Sequence, residues 1–529
     1  MYRKGLTVGL IFLLVATSVF PITAQDIEKQ SQPASRGNWL YVGGSGPGNY
    51  TRIQDAINNA ITGDTIYVYD DSSPYSEQLT VNTTLTLIGE NQTTTIINST
   101  ADECYTVITI NADDVHLSGF TIVLNGGSGV EVFANHTRLS NLTLYSGIHG
   151  WSGTGIKLYH VHDTVITNIL ITRAQIAMLL TYATYTSITH NLIVDPGLNG
   201  IIVYSSDNII DGNTIMGNLD PYTQPVGIYL SGSRNTVSDN TIKAMVGNAT
   251  HGISLNAATD SVIEGNTLVN TGLEWHISER NNFANNTVNG KPLVFLVGQS
   301  DQVIDDAGQV FLINCTRMTV QNLTLFNSGD GIYLYGNTDS IVQHCHISSC
   351  WSGIDLEASQ DNIVQNNTMT NCEYGISIYQ GDSNRIENNT INGSKYCGLL
   401  ISSKSTQASH NQIDACSIGI TVSRCRHSSV TRNTIHQCIW GVYLEMATAT
   451  TIAQNNFQDT QLAAAFYTAI LNHWTGNYWG RSRILPKIIP GSILIYEQQD
   501  PHAPKRIIIP WINVDLHPVR NPYDISGMR

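Results

Sequence analysis

Charged residues are scarce in this sequence, and cations are scarcer than anions. Only 13% of the 529 residues are charged, and 26 Lys and Arg stand against 41 Asp and Glu, which gives a formal net charge of −15. A protein that binds nucleic acid or anionic lipid by charge presents a basic patch or stripe. The acidic balance therefore argues against such binding, and we expect no nucleic-acid partner.

Long apolar runs are absent after the first 20 residues. The one run, Leu6–Phe20, follows Arg3 and Lys4 and precedes the small residue Ala24, a pattern typical of an export signal. We expect residues 1–24 to be a signal peptide that is cleaved after Ala24. No later segment is apolar for long enough to cross a bilayer. The mature protein is therefore expected to be secreted or to lie in the cell envelope, with no transmembrane segment.

Long amphipathic helical patterns are also lacking, and a repeated unit takes their place between residues 331 and 457. The apolar residue that closes each unit recurs every 22 residues, at Ile347, Met369, Ile391, Ile413, Ile435 and Phe457. Two residues earlier stand Cys345, Asn367, Asn389, Asn411, Asn433 and Asn455. A fixed period of this length indicates a repeat array in which each unit packs against its neighbours.

Each unit contains three short segments that favour β-structure, such as Gly331–Leu334, Ser340–Val342 and Cys345–Ile347. The frequent Gly, Asn, Ser and Thr disfavour a supercoiled helix, although 22 is twice 11. A leucine-rich repeat would need one strand and one helical segment per unit. We therefore predict an all-β protein, a right-handed parallel β-helix with about 22 residues and three short strands per coil.

Equivalent positions of a β-helix stack directly above one another, about 4.8 Å apart. The asparagine column should form a ladder of amide hydrogen bonds at a tight turn. One column is rich in cysteine: Cys350, Cys372, Cys416 and Cys438. We expect these thiols to fill the core, because stacked Cβ vectors run parallel and disfavour disulfides.

The period and its interruptions divide the rest of the chain. Thr51–Ala60 has apolar residues at helical spacing and predicts a helix that caps the first coil. The expected parts are a flexible lead-in (25–45), the N-terminal cap helix with the first coils (46–120), coils with loop insertions (121–288), a coil with an enlarged loop (289–324), regular coils (325–460) and an irregular C-terminal cap (461–529).

The residues two and four after each coil glycine should point outward, alternating with the core. Several of them are aromatic or acidic: Tyr333, Tyr335, Tyr379, Tyr443 and Glu445. Aromatic rings on a long flat sheet suit stacking on sugars, so we predict a glycan-binding face with an extracellular or cell-wall polysaccharide as the partner. The alternative is an ordinary solvated sheet face, because Tyr favours strands.

Asp355 and Glu357 are the candidate catalytic residues. They lie two apart on one strand, so their Cβ atoms should be about 7 Å apart, within the range for an inverting glycosidase pair. The alternative is a surface acidic pair. Of the four motifs expected in β-helix polygalacturonases only Asn337-Thr338-Asp339 occurs. The sequence thus leaves open whether the protein is an enzyme.

His344 and His346 are the candidate metal ligands, since both should face outward near one another. A third ligand is not evident from the sequence, so a solvated pair is the alternative. We expect no cofactor, although the sequence does not exclude calcium or copper.

Three stretches carry a resemblance to a known family. Residues 51–91 resemble the opening of NosD-like and other carbohydrate-associated β-helix proteins. Residues 289–325 and 476–525 resemble a secreted NosD-like subgroup common in archaea. The resemblance implies a β-helix and an exported or envelope location, and the family name implies a role in maturing the copper site of nitrous oxide reductase.

Three functions remain in competition. The leading hypothesis is a secreted or surface-exposed scaffold that binds glycans or serves a structural role. The second is a polysaccharide-modifying hydrolase, lyase or epimerase. The third is a NosD-like accessory protein for a copper site.

Overall fold

The computed structural model describes residues 37–98, 106–146, 152–217, 225–244, 251–276, 280–483, 485–497 and 505–525. The expected signal peptide lies outside these ranges. The described residues form a parallel β-solenoid of about 19 stacked coils, which confirms the predicted fold class. None of the described helices is long and apolar enough to span a membrane.

The N-terminal segment has three parallel sheets, which we name N1, N2 and N3. Sheet N1 contains Leu79–Val81, Ile108–Ile110, Val130–Val132, Ser152–Tyr159, Ala174–Thr181, Asn199–Tyr204, Val226–Leu230, His251–Asn256 and Gly272–His276. Sheet N2 contains Trp39–Val42, Asp64–Val68, Leu85–Gly89, His116–Ser118, Arg138–Ser140, Val165–Thr167, Ser187–Thr189, Ile209–Asp211, Thr236–Ser238, Val262–Glu264 and Asn282–Ala284. Sheet N3 contains Tyr75–Ser76, Ile96–Asn98, Thr121–Leu124, Thr143–Ser146, Leu170–Thr172, Leu192–Val194, Thr214–Gly217, Thr241–Ala244, Thr267–Val269 and Thr287–Val288.

The C-terminal segment repeats this plan with sheets that we name C1, C2 and C3. Sheet C1 contains Lys291–Val297, Gln309–Ile313, Asp330–Tyr335, Ser352–Glu357, Tyr374–Asp382, Cys397–Lys404, Ile418–Ser423, Trp440–Glu445 and Leu462–Tyr467. Sheet C2 contains Val303–Ile304, Thr319–Gln321, Ile341–Gln343, Ile363–Gln365, Arg385–Glu387, Gln407–Ser409, Ser429–Thr431, Thr451–Ala453 and His473–Thr475. Sheet C3 contains Thr324–Phe326, His346–Ser348, Thr368–Thr370, Thr390–Asn392, Gln412–Asp414, Thr434–His436, Asn456–Gln458 and Tyr478–Trp479.

Like residues stack on like residues, as the 22-residue period predicts. Ile391 and Ile413 are direct partners in sheet C3, and both are fully buried. The asparagine column forms the expected ladder: the backbone N–H of Asn389 donates to Asn411 Oδ1, and that of Asn411 donates to Asn433 Oδ1. Each ladder side chain is buried, so the amide groups satisfy one another in place of water. The eight cysteines in the described part of the chain are buried and unpaired.

A short helix closes the N-terminal end, as predicted, although it is shorter than the expected span. It runs from Ile53 to Asn59 and buries Ile53, Ala56 and Ile57. The buried Glu77 accepts hydrogen bonds from the backbone N–H groups of Ile53 and Gln54, at 2.8 and 3.1 Å. A carboxylate at this position satisfies two of the N–H groups that a helix start leaves free.

The two segments join through an antiparallel hairpin instead of a further parallel coil. Thr287–Val288 of sheet N3 pairs antiparallel with Lys291–Val297, and Gly290 turns the chain with a φ of 79°. Sheet C1 is therefore paired strand to strand with sheet N3 and not with its counterpart N1. The buried residues also divide into two clusters, although Phe311, Ile313 and Tyr333 of sheet C1 pack in the N-terminal one. The stretch expected to be a coil with an enlarged loop, 289–324, thus contains the junction of two solenoid segments.

The regular coils extend one turn beyond the expected boundary at residue 460. Leu462–Tyr467, His473–Thr475 and Tyr478–Trp479 pair in parallel with the preceding coil. The period is hard to follow here because Ala463 stands where the earlier coils have glycine and the bulkier Trp479 follows the column that ends in Phe457.

The C-terminal cap is also more regular than the sequence indicates. Lys487–Glu497 and Lys505–Asp515 form a long antiparallel hairpin that extends sheet C1 beyond the last coil. After the hairpin, the backbone of Tyr523 exchanges two hydrogen bonds with the side chain of Asn456.

Candidate functional site

The outward face of sheet C1 carries all seven residues predicted for sugar binding or catalysis. They fall into two columns, because the register places residues 21 to 23 apart directly beside one another. One column contains Tyr333, Asp355, Ser377, Leu400 and, two strands on, Tyr443. The other contains Tyr335, Glu357, Tyr379, Ser402 and, further along, Ser423 and Glu445.

At the start of this face, sheet C1 meets the last strands of sheet N1. We name the polar groups that gather there the junction site: His251, Glu274, His276, Asp330, Asp355 and Glu357. The two sheets are in contact, since the buried side-chain amide of Gln309 donates to the backbone oxygens of both Leu273 and Asp330, at 2.8 Å each. The site thus draws residues from both solenoid segments.

Glu274 is the negatively charged centre of the N1 side of the junction site. Its carboxylate lies 2.9 Å from His276 Nε2 and 3.4 Å from His251 Nε2, and it accepts a hydrogen bond from Ser254 Oγ at 2.5 Å. Burial by itself would raise the pKa of Glu274, but these neighbours outweigh burial and lower the pKa to about 2. The hydrogen bond with Glu274 in turn raises the pKa of His276. Glu274 is therefore ionised at any physiological pH.

On the C1 side of the junction site, by contrast, the pKa values of the carboxyl groups are raised. Burial, followed by the negative charge of Glu274, raises the pKa of Asp330 to about 7. Burial and the charges of Asp330 and Glu357 raise the pKa of Asp355 well above its usual range. One oxygen of Asp355, Oδ1, is buried without a hydrogen-bond partner, as is the hydroxyl of the neighbouring Ser377. Asp330 and Asp355 are thus both weaker acids than ordinary aspartates, and Asp330 titrates near neutral pH.

Ionised and protonated carboxyl groups therefore lie side by side in one site. Such a pairing is the arrangement that general acid and general base catalysis needs, because one group donates a proton while another accepts one. Glu357 is further fixed by Tyr333, whose hydroxyl donates to Glu357 Oε2 at 2.6 Å. The sequence-predicted pair, Asp355 and Glu357, is part of this larger group.

Aromatic side chains wall the junction site. The ring of Trp275 lies 5.6 Å from that of Tyr335 and 6.0 Å from that of Tyr333, measured between centroids. Tyr333 is only 7% exposed, and its hydroxyl is engaged with Glu357. The expectation that Tyr333 stacks on a sugar therefore does not hold, because the aromatic wall covers its ring. Tyr335 is half-buried against the same wall.

Beyond the junction site, the same face opens into a groove of about 770 Å³. The groove arises because the strands Tyr374–Asp382 and Cys397–Lys404 are longer than their neighbours and lose register between Tyr379 and Asp382. Its polar lining consists of Gln360, Tyr379, Gln380, Asp382, Ser402, Ser403, Lys404, Thr421, Ser423, Arg424 and Glu445. This surface offers an aromatic ring, hydroxyls and both signs of charge within one elongated depression.

Two predicted sugar-binding residues, Tyr379 and Glu445, line this groove. Tyr379 is 36% exposed, so its ring is available to a ligand. Glu445 accepts a hydrogen bond from Ser423 Oγ at 3.0 Å, which fixes its carboxylate at the groove wall. Tyr443 lies on the same face but packs edge-on against Trp440, with ring centroids 5.2 Å apart.

The predicted metal ligands His344 and His346 do not form a cluster in the described part of the chain. His346 begins a strand of sheet C3, but His344 lies in the preceding turn with a φ of 54°, so the two do not share one strand face. Both side chains are exposed. The described residues contain one group of three potential ligands elsewhere, formed by His136, His162 and Asp163.

Comparison with known proteins identifies the family. The family model described as periplasmic copper-binding protein (NosD) matches residues 57–222, 117–303 and 296–483, which together span most of the chain. The chain belongs to the NosD family. No curated protein sequence matches it significantly.

The solved structures to which this NosD protein is similar are distant from it in sequence. A pectin methylesterase in complex with a hexasaccharide is 14% identical, with a TM-score of 0.27 over 43% of this chain and 79% of that one. An alginate lyase from Paenibacillus is 12% identical, with a TM-score of 0.24 over 66% and 94% of the two chains. The tailspike protein of E. coli bacteriophage HK620 is 11% identical, with a TM-score of 0.27 over 85% and 80%.

The family description raises the question of whether any residues of this NosD protein suit copper. Cu²⁺ is bound well by imidazole nitrogens together with carboxylate oxygens. His136, His162 and Asp163 provide this donor set, with one ligand atom from each lying within 4.8 Å of the others. By donor chemistry these three residues fit the metal, whereas His344 and His346 lack a third partner in the described residues.

Sequence reasoning missed Glu274, His276 and Asp330, although a local signal exists for each. Glu274 and His276 follow the coil glycine Gly272 by two and four residues, the spacing that predicts an outward direction. Asp330 directly precedes the coil glycine Gly331. What the period could not indicate is that these residues meet, because they belong to different solenoid segments.

Proposed function

We propose that this NosD-family protein is exported and binds an extended, carboxylated polysaccharide along the outward face of sheet C1. The observation that carries the proposal is the groove of about 770 Å³ that opens on this face. Its length follows the stacking direction of the coils, since Tyr379, Ser402, Ser423 and Glu445 come from four successive strands. A polymer lying along such a groove would meet a similar set of groups at each coil.

The chemistry of the lining supports a sugar ligand. The exposed ring of Tyr379 offers a flat apolar surface, and Ser402, Ser423 and Glu445 offer hydrogen-bond partners for hydroxyl groups. A site with a few polar groups around an aromatic platform is typical of small-molecule and polymer recognition.

The positive charges in the groove favour an acidic sugar. Lys404 and Arg424 both line it and are exposed. Neither forms an ion pair with a carboxylate in the described residues, whereas six other Arg and Lys side chains are paired at 2.9 Å or less. In a protein of net charge −15, two unpaired cations in one groove would attract a uronate carboxylate.

Binding to polysaccharides of different charge tests this function. We expect polygalacturonate and alginate to bind in isothermal titration calorimetry and neutral dextran to bind at least about tenfold more weakly, a difference of about 1.4 kcal/mol. Tyr379→Ala should weaken binding of either acidic polymer, and Lys404→Gln should reduce the preference for acidic over neutral polymers. Tyr335→Ala, at the junction wall, should have a smaller effect than Tyr379→Ala.

Tyr182→Ala is the matched control, because Tyr182 is 62% exposed but lies on the N-terminal segment. Its affinity for polygalacturonate should equal that of the unsubstituted protein. A glycan array on which the protein binds no acidic polysaccharide would refute the proposed groove. Equal losses of affinity in Tyr182→Ala and Tyr379→Ala would refute it as well.

The junction site favours cleavage of the bound polymer as a second candidate function. The supporting observation is the contrast in pKa between Glu274 at about 2 and Asp330 at about 7, with Asp355 also raised. A protonated Asp355 could protonate a glycosidic oxygen while Glu357 activates water, so that one C–O bond breaks and another forms.

A reducing-end assay on polygalacturonate and alginate tests cleavage. If the junction site hydrolyses either polymer, Asp355→Asn and Glu357→Gln should each lower the rate by about a hundredfold or more, and Asp361→Asn at an exposed turn should not. If the protein binds a polymer but releases no reducing ends from it, the protein is a scaffold and not a hydrolase.

A further inference from the structure

A second group of polar side chains lies on the N-terminal segment, at the turn between sheets N1 and N2. His162 Nδ1 is 2.8 Å from Asp163 Oδ2, and His136 Nε2 is 3.6 Å from the same oxygen. The two imidazole rings are perpendicular, with centroids 5.0 Å apart. On the other side of His136, Asp114 Oδ1 lies 3.6 Å from Nδ1. His136, His162 and Asp163 therefore bring three potential ligand atoms together on adjacent exposed turns, and Asp114 lies on the far side of the His136 ring.

The stacking of coils fixes the spacing of these groups. Asp114, His136 and Asp163 occupy the same turn position in three successive coils, each in the left-handed conformation with φ between 54° and 57°. Backbone hydrogen bonds link each turn to the next, from Asp114 to Asn135 and from His136 to His162, at 3.1 and 3.0 Å. The ligand atoms are therefore held by rigid backbone and not by a mobile loop, which lowers the cost of assembling a site.

In later coils, aspartates in the same column of turns have their negative charge balanced by arginine. Further along it, Arg234 makes two hydrogen bonds to Asp207 at 2.6 Å, and Arg280 makes two to Asp260 at 2.8 Å. An arginine thus supplies the positive charge between stacked turns in that part of the molecule.

In the coils of Asp114 and Asp163 the arginine is replaced by imidazole. Among the described residues, the charged partners of these two carboxylates are histidines alone. Neutral imidazole brings no positive charge, but it is the commonest protein ligand for metal ions. A divalent cation bound between the two histidines would supply the charge that Arg234 and Arg280 supply elsewhere.

We infer that His136, His162 and Asp163 form a binding site for a divalent transition-metal ion, and that Asp114 supports the site by holding the other ring nitrogen of His136. Two imidazole nitrogens with carboxylate oxygens suit Cu²⁺ and Zn²⁺, and the general order of affinities places Cu²⁺ first. The site is separate from the groove on sheet C1, and metal binding there does not depend on the glycan-binding proposal. Because all three ligands are exposed, the ion would keep open positions and exchange with solution.

Direct titration of the untagged protein with Cu²⁺ and with Zn²⁺ tests the site, in a buffer that does not bind metals. We expect one Cu²⁺ per chain at micromolar or lower Kd, with weaker Zn²⁺ binding. His136→Ala and His162→Ala should each weaken Cu²⁺ binding roughly tenfold or more, as ligand and supporting-shell substitutions do in metal sites. The electron paramagnetic resonance spectrum of the Cu²⁺ complex should show coupling to two nitrogen nuclei, and one of these should disappear in each variant.

His344→Ala and His346→Ala are matched controls, because both histidines are exposed and lie outside the cluster. They should leave the affinity and the spectrum unchanged. Circular dichroism of each variant separates loss of ligand from loss of fold, and an intact fold is expected because all these side chains lie at the surface. The absence of micromolar Cu²⁺ binding, or equal binding by His136→Ala, His162→Ala and the unsubstituted protein, would overturn the inference.

Discussion

At the scale of single residues, ionisation of a buried carboxyl group in the junction site destabilises the folded protein. The pKa of Asp330 is raised to about 7 by burial and by the charge of Glu274, so the carboxyl resists ionisation in the folded chain. Its usual pKa is 3.8, and the folded protein therefore binds more protons than the unfolded chain between about pH 4 and 7. Stability is consequently lost as the pH rises through this window. Such a cost is common where a protein keeps a strained or charged site for function.

Replacement of Asp330 by asparagine should therefore stabilise the protein in a pH-dependent way. The amide would keep the shape of the side chain without a charge to bury. We expect Asp330→Asn to raise the melting temperature by a few degrees at pH 8 and to leave it unchanged at pH 4, as measured by calorimetry. Asp361→Asn, at an exposed turn, is the control and should change neither value. A larger gain at pH 4 than at pH 8 would mean that the sign assigned to Asp330 is wrong.

At the scale of structural elements, the C-terminal hairpin completes the asparagine ladder. Asp515 at the end of the hairpin is fully buried, and its Oδ2 accepts hydrogen bonds from the backbone and side-chain N–H groups of Asn477, at 3.0 and 3.1 Å. The same oxygen accepts a hydrogen bond from Trp479 Nε1 at 3.0 Å. Since Asn477 is the last asparagine of the ladder, Asp515 supplies the acceptor that the next coil would otherwise provide.

Asp515→Ala should therefore unfold the last coils more easily. The substitution leaves the buried backbone N–H of Asn477 and Nε1 of Trp479 without an acceptor, while the Asn477 side chain keeps its bond to Ile452 O, and we expect a loss of about 2 to 4 kcal/mol. Because coils of a solenoid interact with their neighbours only, hydrogen exchange should quicken in the coils nearest Trp479 and remain slow near Ile347. Asp305→Ala, in an exposed loop, provides the comparison. Uniform acceleration along the whole chain would argue against Asp515 as a local cap.

The elements differ in how far the sequence predicts them. The coils between Ile347 and Phe457 are predictable because one strict period specifies the strands, the core and the ladder together. The hairpin at Gly290 is not, since a reversal of strand direction leaves the apolar pattern almost unchanged. The junction site is predictable only in part for the same reason: Asp355 and Glu357 share a strand, but their neighbour Glu274 is close to them only because two segments meet.

At the scale of the whole molecule, the NosD chain is two solenoid segments joined by aromatic packing and by one buried polar contact. Two buried clusters follow the two segments, but Phe311, Ile313 and Tyr333 of sheet C1 belong to the N-terminal cluster. Between them lies Gln309, whose fully buried side chain accepts a hydrogen bond from the backbone N–H of Leu273 and donates to the oxygens of Leu273 and Asp330, all at 2.8 Å. One side chain thus joins the last strand of sheet N1 to sheet C1 and positions both halves of the junction site.

Loss of this contact should separate the unfolding of the two segments. Gln309→Leu has a similar volume but leaves buried backbone groups of Leu273 and Asp330 without partners, which we expect to cost about 2 to 4 kcal/mol. Since nearest-neighbour contacts transmit cooperativity in a repeat protein, calorimetry should resolve two transitions in the variant where the unsubstituted protein shows one. Gln302→Leu, at an exposed loop position, should keep a single transition. If Gln309→Leu also melts in one step, the aromatic contacts of Trp275 with Tyr333 and Tyr335 couple the segments without the amide.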